Sequence, residues 1–452
     1  MNKILYIGHS FHQKTKSSSF LLEQLKASFD VTELYMDSQE QNIGQITGMK
    51  TVHFDTLVIW QIMPDVQDLK RHFTWEFGVF FPMYDHFLDT GGLYPIVWKS
   101  YADFTIICFS QKLHEELVAS GFDSKYIQFF PQPKTIDDWG NENGVFFWQR
   151  RDQPNLQRLM TATKSLQIQH IHLHQAPDPG FLCTQPSTQI KDIQITCSQW
   201  FEKKEEMLHE IGKYAYYMAP RLYEGIGMSF LDAMAMGRCV IAPDTPTMNE
   251  YITNGENGIL YPWDDVCRQE SLLTSTHHTL REIQENAYRT IEQGYKEWMN
   301  NRYKIINWCI QKPCPNLERL RVSSQIYGWA DDTSQEPPSN VILLIYHFYI
   351  PEIKYVIQKL FLLKWRTLVD FLIVHLSSRF NRKWYMAHYF CSLKSGMAPA
   401  AHYLHYGWKE GKNPSSSFYT NLYIKNHPDT MERDLCPLIH RKLKGKREHR
   451  SL

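Results

Sequence analysis

The sequence is short of three features that would place it quickly. Neither sign of charge is in excess, with 48 lysines and arginines against 48 aspartates and glutamates. No global field therefore draws the chain to a polyanion, and nucleic acid is not expected as a partner. No uninterrupted apolar run reaches the ~20 residues that cross a bilayer, so an integral membrane protein is not expected. The nine cysteines include no Cys-x-x-Cys pair. An odd, scattered set suits neither a disulfide framework nor a zinc site, and points to a reducing compartment. The opening "MNKILYIGHSF" is shorter than a signal peptide with its cleavage site and reads as a first buried strand.

What is present is enough apolar material for packed cores: 43% hydrophobic and 14% aromatic residues in 452, a length that suggests two or three domains at ~150 residues each. Short β-rich runs alternate with helix-like segments through the first three hundred residues, the pattern of βα units around parallel sheets. "KILYIG", "TLVIW", "GVFFP" and "FTIICFS" read as strands, and "SSSFLLEQLKASF" and "QKLHEELVASG" as helices. Together they predict a doubly wound domain over residues 1–135. The turn-rich "PQPKTIDDWGNENG" is a hinge. Beyond it "GVFFWQR", "IQHIHLH", "DIQIT" and "RCVIAP" predict the strands of a second α/β domain over residues 136–335.

Composition changes over residues 336–452. The segment 340–384 is apolar and aromatic but broken by Lys354, Lys359, Lys364, Arg366 and Asp370. It reads either as a buried helix pair or as an amphipathic membrane-surface element whose basic side chains snorkel to headgroups. Two partial copies, "KWYMAHYF" near Tyr385 and "NLYIKNHPD" near Tyr423, suggest a small module of short helices. The C-terminus, with Arg441, Lys442, Lys444, Lys446, Arg447 and Arg450 against Glu448, is either a solvated tail or a clamp on anionic lipid.

The chemistry concentrates in "RLYEGIGMSFLDAMAMGRCVIAPDTPTMNEYITNGENGILYP", Arg221 to Pro262. Gly225 and Gly227 form a turn without bulk before a helix opening at Met228–Ser229, where unpaired amides and the positive end of the macrodipole suit a diphosphate. Glu224 in the turn and Asp232 about one helical turn further on could face one crevice at the C-terminal edge of the sheet. There a carboxylate accepts hydrogen bonds from vicinal hydroxyls, so one acid could hold a ribose and the other a sugar. Either alone could equally be a surface group or a helix cap.

The stretch resembles the nucleotide-sugar signature of the retaining glycosyltransferases of family 4, in which Glu, seven residues and Glu recur. Here Glu224 is followed by "GIGMSFL" and then by Asp232 in place of the second Glu. Gly225, Gly227, Leu231, Ala233, Met234, Ala235, Gly237, Val240, Ile241, Ala242, Glu250, Asn257, Gly258 and Leu260 match the rest of the pattern. The resemblance implies a GT-B fold, two Rossmann-like domains facing a cleft, here followed by a mainly helical C-terminal module. It implies that Glu224 contacts the donor sugar, that Asp232 binds the ribose, and that Gly225, Ile226, Gly227, Met228 and Ser229 line the donor site. It also implies a basic residue after the first strand of the second domain, met by Arg150 with Arg151 as the fallback. The lysine that should follow falls near Asn155, so one phosphate clamp is missing.

In the first domain Gly8 and His9 could line the cleft, and Asp85 and His86, just beyond a predicted strand end, could reach substrate or simply sit at the surface. The resemblance implies transfer from a nucleoside diphosphate sugar to a glycan or lipid-linked acceptor, with retention and without a metal or other cofactor. The "HYLHYGWKEGKNPSSSF" segment is similar to accessory modules of bacterial surface-polysaccharide glycosyltransferases. That similarity implies a capsule or O-antigen product, made in the cytoplasm or at the inner face of the plasma membrane, with an anionic membrane surface as a further partner. Two other classes stay open: a nucleotide-sugar epimerase, which would form an epimer with no acceptor present, and a donor-binding scaffold, which would bind without turnover.

Overall fold

The computed structural model describes residues 2–37, 51–90, 92–93, 95–151, 154–178, 193–263, 278–327 and 329. From 365 on it describes 365–377, 379–382, 385, 389, 398–409, 411–415, 418, 420, 423–424, 427, 429–432 and 435–442. Segment 340–364, with Lys354, Lys359 and Lys364, and the tail residues Lys444, Lys446, Arg447, Glu448 and Arg450 lie outside these.

Parallel strands covered on both faces need continuous apolar sequence, and that is where they form. Strands β1 (Lys3–His9), β3 (Val52–Trp60), β4 (Phe73–Phe81) and β5 (Thr105–Cys108) are the four runs expected from sequence. With β2 (Asp30–Met36) and β6 (Asp123–Tyr126) they make a six-stranded sheet in the order β2-β1-β3-β4-β5-β6, all pairs parallel. The two strands not anticipated lie at the edges, where "DVTELYM" and "DSKY" can afford polar residues.

The second sheet comprises β7 (Asn141–Gln149), β8 (His170–Gln175), β9 (Gln194–Ser198), β10 (Tyr214–Met218), β11 (Cys239–Pro243) and β12 (Ile259–Tyr261), in the order β12-β11-β10-β7-β8-β9. All its pairs are parallel. Counted within the sheet, this is the 3-2-1-4-5-6 order of dinucleotide-binding folds. Strand order reverses between β1 and β3 in the first sheet and between β7 and β10 in the second.

The chain divides into two compact units, residues 1–85 with 101–316, and residues 86–100 with 317–452. The first unit holds both sheets. A capping box of Thr279 and Glu282 starts the helix Leu280–Asn301, and the helix Tyr303–Trp308 follows. This leads the chain back to the first sheet, where the Thr56 hydroxyl donates to the Cys309 carbonyl at 2.8 Å.

Glu250, part of the sequence signature, joins the two halves. Its carboxylate accepts from the Ser110 hydroxyl (2.8 Å) and from the amides of Gln111 (2.8 Å) and Lys112 (3.1 Å), at the start of the helix Gln111–Ser120. A carboxylate at a helix N-terminus satisfies orphan amides and meets the positive end of the dipole. Glu250→Ala is expected to cost about 1–2 kcal/mol, read as a lower denaturant midpoint, because it removes a cap.

The second unit has its own core, including Phe371, Val374, Tyr385, Tyr403, Trp408, Phe418, Tyr423 and Leu438. The two partial sequence copies place the same pair twice: Tyr385 hydroxyl to His402 Nδ1 at 2.9 Å and Tyr423 hydroxyl to His440 Nδ1 at 3.1 Å, each spanning 17 residues. The histidines close the short helices Pro399–His402 and Pro437–His440. Among the described residues no helix is long and apolar enough to cross a membrane.

Candidate functional site

Ligands of open α/β sheets bind beyond the carboxyl ends of the strands where strand order reverses. Both reversal points of the first unit open on one cavity of about 510 Å³. From the first sheet, β1 runs into a short helix (Phe11–Thr15) bearing His12 and Lys14, β3 ends at Trp60 and Gln61, and Met83 and Asp85 follow β4. From the second, Arg150 follows β7, His174 lies in β8, and Arg221 and Glu224 follow β10.

Two of these lining residues, Arg150 and Arg221, belong to an arginine cluster built on Asp178. Asp178 Oδ1 takes Arg150 through Nε (2.8 Å) and Nη2 (2.6 Å), while Oδ2 takes Arg151 Nε at 3.2 Å and Arg221 Nη2 at 2.5 Å. The other end of the Arg221 guanidinium bonds Asp85, tying the second sheet to the first across the cavity. Burial alone would raise the Asp178 pKa, but Arg150, Arg221 and Arg151 outweigh it and hold the group below the usual aspartate range.

Glu224 is buried at 6% exposure. Its Oε1, with Asp85 Oδ1 and Arg221 Nε, has no hydrogen-bond partner among the described residues. Burial pushes the Glu224 carboxyl above the ordinary range; Arg221 and Arg150 oppose this without reversing it. Such a group is costly to keep empty-handed.

The glycines have partly internal reasons. Gly227 has φ +82 and caps the helix Met228–Ala235 without a side-chain bond to its first amides. A Cβ on Gly225 would meet Met83 and Asp85 of the first domain within 3.0 Å. The close approach there is to the opposite wall as well as to open cavity. Gly225, Ile226, Gly227, Met228 and Ser229 all line the cavity.

Asp232 lines it too, at 4% exposure. Its Oδ2 is 2.5 Å from Lys204 Nζ, the first residue of the helix Lys204–Gly212. Asn155 instead caps the helix Leu156–Ala162, accepting from the Arg158 amide at 3.0 Å. Aromatic rings form one rim: His174 stacks on Phe201 at 4.8 Å, and Lys14 lies 4.4 Å over Trp200.

Of the residues singled out from sequence, Glu224, Arg150, Asp85 and Asp232 come together here, while Gly8, His9, Arg151 and His86 do not line the cavity. Gly8 packs against the Tyr6 ring and the His9 Nδ1 accepts from the Phe11 amide at 3.0 Å. Arg151 pairs with Asp178 instead. His86 belongs to the second unit, its carbonyl accepting from the Thr90 hydroxyl at 2.8 Å.

Sequence reasoning missed Arg221, Asp178, Lys204 and His12. Arg221 had a signal, lying three residues before Glu224; Asp178 had none. His12 is buried with Nδ1 unpartnered among the described residues. Burial and neighbouring His9 lower its pKa to about 4, so it is a neutral hydrogen-bonding group at pH 7. Among the described residues no cluster of three or more His, Cys, Asp or Glu is placed to hold a metal ion.

Two doubly wound sheets of this kind, with the cavity at their strand reversals, define a GT-B fold. Residues 145–271, which run from within β7 past β12, match the family model described as glycosyl transferases group 1. No curated protein matches the chain in sequence. Solved structures of similar fold include sucrose-phosphate synthase from Thermosynechococcus elongatus (13% identity, 68% of this chain and 100% of that one, TM-score 0.49). Anabaena Alr3699/HepE in complex with UDP-glucose is similar at 15% identity, over 68% of this chain and 100% of that one, with TM-score 0.44. A TarM variant from S. aureus is similar at 13% identity, over 54% of this chain and TM-score 0.40. The chain spans only 55% of that TarM structure.

Proposed function

We propose that the protein is a glycosyltransferase that moves a sugar from a nucleoside diphosphate sugar to a glycan or lipid-linked glycan acceptor. The observation that carries the reading is the buried Glu224, with one oxygen unpartnered among the described residues, between the Arg150–Arg221 cluster and the helix start at Met228. The carboxylate is matched to donor-sugar hydroxyls, and the uncapped amides of Met228 and Ser229 to the diphosphate.

In the reaction the bond between the anomeric carbon and the diphosphate oxygen breaks with its electron pair going to the diphosphate. The acceptor oxygen bonds to that carbon and gives its proton to the departing diphosphate. Arg150 and the helix amides stabilise the leaving charge from fixed positions, which is preorganised electrostatic catalysis and calls for no resident metal. Asp232 takes the ribose. Acceptor hydroxyls enter from the first-domain wall, past His12 and Trp60. Retention of configuration, a role in capsule or O-antigen synthesis, and work at the inner face of a bacterial plasma membrane complete the reading. They rest on the resemblance of the Arg221–Pro262 segment and of the C-terminal module.

The test is thermal unfolding of the full chain against the diphosphates and diphosphate sugars of uridine, adenosine, guanosine and thymidine. A ligand at 100 times its Kd stabilises by about 2.7 kcal/mol, a measurable rise in Tm. No shift with any of them, for a folded protein, would sink the reading. Binding followed by epimer formation without acceptor, or binding with no turnover at all, would move it to an epimerase or a scaffold.

A further inference from the structure

We infer that Lys204 is the second cation of the diphosphate site, supplied by the helix after β9 in place of the lysine missing near Asn155. The inference rests on the donor-site reading above. Asn155 serves as a helix cap, and the nearby Arg158 guanidinium lies 4.3 Å over the Trp263 ring. Neither Arg158 nor Lys164 lines the cavity, so the described residues of that segment bring no replacement cation to it.

The arginines do not fill the gap by themselves. Arg150, Arg151 and Arg221 face three carboxylates, Asp178, Asp85 and Glu224, so the cluster is balanced before any ligand arrives. A diphosphate adds negative charge that needs a further partner. Besides the arginines, Lys14 and Lys16 line the cavity from the segment after β1, and Lys203 and Lys204 line it from the segment after β9; of these lysines Lys204 pairs with Asp232, on the helix that follows Gly227.

Lys204 is already at the right place. Its Nζ sits 2.5 Å from Asp232, four residues beyond Met228 in the helix, and its side chain is 50% exposed. One helical turn rises about 5.4 Å, within the swing of a lysine stem. The lysine end of the pair is half-exposed and can swing, while the buried Asp232 carboxylate needs a donor in its place, which ribose hydroxyls supply. When ribose hydroxyls take the Asp232 carboxylate, the ammonium is released toward the phosphates beside the first helical turn. One side chain then couples occupation of the ribose and phosphate positions.

The test is calorimetric titration of the full chain with UDP, or with whichever nucleoside diphosphate binds wild type best. The proteins are wild type, Lys204→Met, Lys204→Arg, Asp232→Asn and the Lys204→Met/Asp232→Asn double variant. Losing a charge-assisted phosphate contact is expected to weaken binding about tenfold in Lys204→Met, with Lys204→Arg retaining most of the affinity. The same loss is expected on going from Asp232→Asn to the double variant, since the contact is to phosphate. Unchanged or tighter binding in Lys204→Met would overturn the inference, the lysine then only masking Asp232. So would a loss that vanishes in the Asp232→Asn background. Failure of wild type to bind any of the diphosphates would instead remove the donor-site reading, and this inference with it.

Discussion

Glu224→Gln is expected to yield a protein at least as heat-stable as wild type that transfers sugar on the order of 100-fold more slowly. The rate loss follows from replacing charged hydrogen bonds to the donor sugar with neutral ones, an interaction worth about 1.5–3 kcal/mol. The stability follows from burial. The carboxylate is desolvated by its burial and one oxygen has no partner among the described residues, so its pKa is raised despite Arg221 and Arg150. A carboxyl raised in the folded state favours folding in its protonated form, and that contribution is lost as pH rises through the folded value. Wild type therefore carries the cost at neutral pH and the glutamine does not. The Tm difference between the two is expected to close as pH falls toward the ordinary glutamate range. A glutamine variant that is distinctly less stable at pH 7 would mean that Glu224 is a structural ion-pair partner. A glutamine variant at least as stable would mark a site held at some cost to stability for what it binds.

Asp178→Ala is expected to have the largest effect on stability, about 3–5 kcal/mol, because one carboxylate meets three guanidiniums and its removal takes from the buried Arg150 both of its carboxylate bonds and from Arg221 one of its two carboxylate partners. The pH dependence has the opposite sign to that of Glu224. The Asp178 pKa is depressed, so its contribution is present above the ordinary aspartate value and is lost as pH falls through the folded one. Chemical denaturation at pH 7 and at pH 3 checks this: the deficit of the variant should shrink in acid. Turnover should fall about tenfold or more, since Arg150 loses the partner that fixes it relative to the helix Met228–Ala235. An Asp178→Ala protein of wild-type stability would show that the cluster is not held by this residue.

The glycine-turn half of the candidate site was readable because it is local. Glu224, the two glycines and Asp232 lie within nine residues, on a turn and the first five residues of the helix after it. What holds them is not local. Asp178 lies 28 residues from Arg150 and 43 from Arg221, and Asp85 lies 136 from Arg221. No periodicity or turn chemistry reports such pairings. Gly225 and Glu250 show a further limit. Both match the signature, yet Gly225 admits Met83 and Asp85 as well as facing the cavity, and Glu250 caps a helix of the first domain. The fold was legible wherever strands are buried on both faces. The edge strands β2 and β6 carry too little apolar pattern to be seen, and β12, though buried, is only three residues long.

The measurement that bears most directly on the donor site is a crystal structure of the full chain with the nucleoside diphosphate sugar that stabilises it best. The diphosphate should lie within hydrogen-bond distance of the Met228 and Ser229 amides, with sugar hydroxyls on Glu224 and the ribose on Asp232. A donor bound outside this cavity, or one whose sugar turns away from Glu224, would contradict the account.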